Sequence, residues 1–124
     1  VRILASSLLV ALTTLTLAQA TAVTPKFELV TTDQEDMPRT KVYFVLGERK
    51  VLARTVTGHE TKSDVVPDWA PKSSVAYTSL WWAGQGDQFY VVKKGTAYRI
   101  FHRSIDEESK PGKFRLVKSV KSAG

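Results

Sequence analysis

His102 and the carboxylates of Asp87 and Asp106 are the side chains in this sequence from which an acid–base pair or a metal site is most readily built. A carboxylate hydrogen-bonded to one imidazole nitrogen fixes the tautomer and leaves the other nitrogen for a proton or a metal. Asp87 opens an apolar alternating run, His102 closes the next, and Asp106 follows in a turn. A hairpin through Lys93-Lys94-Gly95-Thr96 sets Val92 against Ala97 and therefore Asp87 against His102, which gathers the three at one strand end. The plainer outcome is a strand-end histidine that is solvated or pinned by one carboxylate, since a metal normally wants at least about three protein ligands. His59-Glu60 with Asp64 misses the H-E-x-x-H pattern, because residue 63 is serine. Asp33, Glu35 and Asp36 lack the alternating ligands and central glycine of an EF-hand loop.

Nucleophilic catalysis has no foothold. The chain contains no cysteine and no G-x-S-x-G elbow, and Gly84-Gln85-Gly86 leads into a strand rather than into the helix that a phosphate-binding turn requires. No cofactor is implied. A different chemistry is offered by Trp69, Trp81, Tyr90 and Tyr98, interleaved with Lys93, Lys94, Arg99 and Arg103. Aromatic faces beside cations stack on glycans, peptides or unpaired bases. Trp69, Trp81, Tyr90 and Arg99 are therefore the candidate ligand-binding residues, with Asp87, His102 and Asp106 as the candidate metal ligands. Large apolar residues on a period of two also serve as core, so the aromatic set has a packing role open to it as well.

These residues must be held by strands. Lys26 to Thr32 alternates as a first strand, and the acidic, Pro-stopped stretch Asp33 to Arg39 reads as a solvated loop. Lys41 to Val56 is a hairpin around Gly47-Glu48-Arg49-Lys50; pairing Leu46 with Val51 makes a core face of Val42, Phe44, Leu46, Val51, Ala53 and Thr55, with Tyr43 across from Arg54 on the other side. Thr57 to Ser74 is a long loop in which Pro67 and Pro71 restrain Trp69. Val75 to Ala83 is a strand whose two tryptophans point to opposite sides, and its companions Ala76 and Leu80 favour Trp82 as the inward one. The hairpin Gln88 to Arg103 puts Phe89, Val91, Tyr98 and Ile100 on a core face, and Lys113 to Val120 is the last strand. The expected fold is thus all-β, a small antiparallel meander of about seven strands forming a barrel or sandwich. On architecture alone it resembles a lipocalin-like or lysozyme-inhibitor-like roll, with no family motif to carry over.

Residues 1–22 read differently. Arg2 precedes an apolar run from Ile3 to Leu17, and Ala18-Gln19-Ala20 and Ala20-Thr21-Ala22 supply small-residue cleavage sites, the pattern of a secretory signal peptide. Val1 in place of methionine suits a bacterial alternative start codon. The expectation is a signal peptide over 1–22 and a single β domain over 23–124, with its core within 26–120. Export argues against nucleic acid as partner, and no membrane span remains after cleavage. The formal charge of +6 favours anionic surfaces, polysaccharides or acidic partners, and it also aids solubility. The favoured reading is an exported, non-catalytic domain, secreted or periplasmic, that binds an envelope or extracellular protein or glycan in the manner of an inhibitor or adhesion module. The alternatives are a small metal-binding protein or hydrolase using His102 with Asp87 or Asp106, and an envelope subunit that self-associates through its edge strands.

Overall fold

The computed structural model describes residues 23–61 and 66–122, so the expected signal peptide over 1–22 lies outside the described residues. The described chain is all strand and turn: β1 (Lys26–Gln34), β2 (Met37–Leu46), β3 (Arg49–Thr57), β4 (His59–Glu60), β5 (Ser74–Trp82), β6 (Gln85–Lys94), β7 (Ala97–Ile105) and β8 (Arg115–Lys121). Consecutive strands pair antiparallel within two sheets, β1-β2-β3 and β4-β5-β6-β7-β8. Of the two expected architectures, the two-sheet one is found; the sheets do not close into a barrel.

The chain changes sheets at Gly58. Its amide donates to the Pro38 carbonyl at 2.8 Å and its carbonyl accepts from the Thr40 hydroxyl at 2.6 Å, so the corner is tied to β2 on both sides. Immediately beyond, His59 and Glu60 pair with Trp81 and Leu80, which adds a short strand where a loop was expected. Only glycine fits the corner: its φ is 151°, and a Cβ there would lie 3.1 Å from Leu80 Cβ and 3.2 Å from the Trp81 amide nitrogen.

Two-residue turns set the hairpin registers. Gly47, with φ 64°, and Glu48 join β2 to β3, so Leu46 faces Arg49 rather than Val51. A bulge at Val42/Tyr43 then exchanges the expected inward Thr55 for Val56 and sets Tyr43 opposite Leu52 instead of Arg54. Gly95, with φ 61°, and Thr96 join β6 to β7, so Lys94 faces Ala97 and Phe89 faces His102. The acidic stretch expected as a loop is itself a hairpin: Glu35 and Asp36 both take positive φ, and Asp33 and Gln34 pair with Pro38 and Met37. Pro38 is tolerated in β2 because the pairing with β3 ends at Arg39, beside it.

The inward faces meet in one core. Phe44, Phe89, Leu80, Ile100, Val42 and Val91 are fully buried, each removal from water stabilising by about 1.5–3 kcal/mol. Phe27 lies between the sheets, 6.2 Å from the Phe44 ring and 6.0 Å from the Phe89 ring, while Tyr98 packs on Phe44 at 5.5 Å. Along one side, β3 and β8 are bridged by side chains: Lys118 donates to the Leu52 carbonyl at 3.0 Å and Arg49 donates to the Lys121 carbonyl. Trp82 shares the inward parity of Leu80, as expected, but it stands past the end of the core and is 38% exposed.

Candidate functional site

The outward face of the five-stranded sheet collects most of the aromatic residues that the core leaves out. Register places Tyr77, Tyr90, Phe101 and Leu116 side by side across β5, β6, β7 and β8. Tyr90 stacks on Phe101 at 5.1 Å with planes 15° apart, and Phe114 meets it edge-on at 4.6 Å. Burial raises the Tyr90 pKa above its ordinary value, and the nearby Arg103 cation lowers it by less.

Trp69 arrives on this face from the loop before β5. A turn closed by Ala70 N–H to the Pro67 carbonyl, followed by Ser74 N–H to the Pro71 carbonyl, presents its indole to the sheet. There it stacks on Phe114 at 5.6 Å and meets Tyr77 edge-on at 5.7 Å, while remaining 48% exposed. The Arg103 guanidinium lies 4.7 Å from the Trp69 ring centre and 4.4 Å from that of Phe114. Arg103 Nε donates to Gln88 Oε1 at 2.7 Å, and Gln88 Nε2 donates to the Tyr77 hydroxyl at 3.2 Å. Each ring is thus held by at least one neighbour, so the surface is organised by its own contacts.

Of the residues expected to bind a ligand, Trp69 and Tyr90 are joined through Phe114. Arg99 sits in the next row of the same face, between Val92 and Ser119. Trp81 also shares the face, four residues along β5 from Tyr77 and so about 13 Å away. Its ring lies flat over Gly86, where a Cβ would come within 3.0 Å of it. Tyr98 belongs to the core instead. Tyr77, Gln88, Phe101 and Phe114 complete the surface, and the parity of Tyr90 is the signal that would have found the strand members. No outward position of β5–β8 carries a carboxylate, whereas Lys94, Arg99, Arg103 and Lys121 all face that way.

A cleft of about 840 Å³ lies at the end of the two sheets. Asp87 and His102 meet in its wall, with His102 Nε2 2.7 Å from Asp87 Oδ1. Both side chains are largely buried, at 8% exposure for His102 and 17% for Asp87. The imidazole packs on Phe89 at 4.6 Å, and the Ser104 hydroxyl approaches Asp87 Oδ1 at 3.5 Å. The expected direct opposition of Asp87 and His102 is replaced by a diagonal, since Asp87 faces Ser104 and His102 faces Phe89; both remain on the inward side. Asp106 lines the same cleft, but its Oδ1 accepts the backbone N–H groups of Glu108 at 3.0 Å and Lys110 at 2.9 Å and so closes its own turn. Among the described residues no group of three His, Cys, Asp or Glu side chains is placed to hold a metal ion. His59 lies apart from this pair, edge-on to the Trp82 ring at 5.9 Å.

Comparison with protein-family models, curated proteins and solved structures finds no match to this chain. Among the described residues no helix is long and apolar enough to cross a membrane.

Proposed function

We propose that the chain is an exported, non-catalytic binding domain, secreted or periplasmic, that holds an acidic glycan on the outward face of its five-stranded sheet. The observation that carries this reading is the composition of that face: a cross-strand aromatic row capped by Trp69, four outward cations and no outward carboxylate. Sugar rings present apolar C–H faces that stack on aromatic rings, and uronate or sulfate groups pair with Arg99, Arg103 and the lysines. The signal-peptide pattern of residues 1–22 supports a partner outside the cytoplasm, and the formal charge of +6 supports an anionic one.

The test is a titration of the protein, followed by tryptophan emission, against three polymers: a polyuronate, neutral dextran and polyglutamate. Binding of the polyuronate that weakens with salt, together with no response to dextran, is the expected result. Trp69→Ala should weaken it by about tenfold or more, as the loss of a central aromatic anchor does. Polyglutamate binding without polyuronate binding would replace the glycan by an acidic protein. Undiminished polyuronate binding by Trp69→Ala would remove this face from the account.

A further inference from the structure

The end cleft is independent of the outward face and asks for a different ligand. At about 840 Å³ it falls within the range of small-molecule sites, roughly 300–1,000 Å³, and its walls come from both sheets. The five-stranded sheet contributes Asp87 and Trp82; the three-stranded sheet contributes Arg54 and Met37. Asp106 and Lys110 line its exposed rim, where the Asp106 Oδ1 closes its own turn and Lys110 Nζ lies 3.5 Å from Glu108, the Lys110 and Glu108 side chains both 75% exposed. Asp87 and Arg54 are the charges that the two sheets themselves contribute, one from each.

These two opposite charges line one cleft without pairing. Asp87 is hydrogen-bonded to His102, and among the described residues Arg54 has no ion-pair partner. Asp87 is held through its Oδ1 by His102 in largely buried surroundings, where charge–charge attraction is stronger than in water. Arg54 is exposed and comes from the other sheet, on β3. A simple anion would meet Asp87, and a simple cation would meet Arg54. A ligand with both charges answers both groups, and Trp82 and Met37, each about two-fifths exposed, offer apolar contact for the rest of it.

We infer that the cleft binds a small zwitterion, a free amino acid or short peptide, with its ammonium group on Asp87 and its carboxylate on Arg54. The probe is the dipeptide Gly-Phe, titrated calorimetrically into the protein beside its N-acetylated and C-amidated forms. Saturable binding of the free dipeptide is expected, with each derivative weaker by about tenfold or more, the loss of one charge-assisted contact. Arg54→Gln should abolish the difference between the free and amidated forms while keeping the penalty for acetylation. Asp87→Asn should do the converse. Should Asp87→Asn fail to fold without its partnered carboxylate, Arg54→Gln still decides, because that side chain is exposed. Trp69→Ala, on the other face, should leave dipeptide binding unchanged. Absence of binding at millimolar dipeptide, or binding indifferent to both end groups, would overturn the inference.

Discussion

Tyr90 shows how the outward face differs from an ordinary solvated sheet surface. Its phenol is enclosed by Phe101 and Phe114, and burial shifts its ionisation upward in pH against the weaker pull of Arg103. In the unfolded chain a tyrosine ionises near pH ~10. The folded chain therefore keeps its proton over a range in which the unfolded chain has lost it. The resulting stabilisation is full below the unfolded pKa and disappears as pH rises through the higher folded one. Melting temperatures measured from pH 8 to above the phenol range should fall, and in Tyr90→Phe they should fall less steeply over the same interval. Equal slopes would mean that the phenol is solvated and the aromatic row is looser than its ring contacts indicate. At this scale the sequence was partly legible. The types of Trp69, Tyr90, Arg99, Asp87 and His102 marked them as candidates for binding or acid–base chemistry, but the neighbours that surround each one could not be read from type alone. Phe114 reaches Trp69 and Tyr90 from the stretch before β8, and that proximity depends on three strand registers at once.

The registers explain which parts of the elements could be read in advance. Both hairpins turn two residues tighter than a four-residue loop would, at Gly47-Glu48 and at Gly95-Thr96. A slip of this size moves the pairing sum by an even number, so every side chain keeps its face. That is why Phe89, Val91, Tyr98 and Ile100 are the core face of the second hairpin although none meets its expected partner. In the first hairpin the bulge breaks parity, and Val56 replaces Thr55. The β1–β2 turn was hidden because Glu35 rarely takes positive φ and no glycine follows Asp36 to mark the turn. β4 was hidden by its length, two residues having no period. Yet β4 is where the chain enters the second sheet, and Gly58 is what allows the crossing. Gly58→Ala should cost about 1–3 kcal/mol in urea denaturation, from the unfavourable φ and the crowding against Leu80. Gly84→Ala is the control, with φ 81° but nothing within 4 Å of its added Cβ, and should cost less. If the two variants lose the same stability, the close approach at the corner contributes nothing.

Over the whole molecule, aromatic side chains are divided between an enclosed layer and an outer one, and the proposed binding role concerns only the outer layer. Phe44 and Phe89 are fully buried where the two sheets meet, whereas Trp69, Trp81 and Trp82 are between 38% and 48% exposed on the outward face or at the cleft. The chain has no cysteine, so no disulfide restrains it, and a domain of this size has a total stability of about 5–15 kcal/mol. Phe44 touches the rings of Phe27 and Tyr98 and has no solvent to fill the space it would leave. Phe44→Ala should therefore remove about 3–5 kcal/mol, a large share of that total. Trp69→Ala leaves Phe114 and Tyr90 still packed on the sheet and gives up a side chain already half in water, so its cost should be about 1–2 kcal/mol, below that of Phe44→Ala. Urea denaturation followed by far-ultraviolet circular dichroism measures both losses on the strands themselves, independently of the tryptophans. The expected order is a large fall in midpoint for Phe44→Ala and a small one for Trp69→Ala. Were Trp69→Ala to cost as much as Phe44→Ala, the outer aromatic layer would be a second core, and its exposed rings would be there to hold the loop on the sheet instead of to meet a partner.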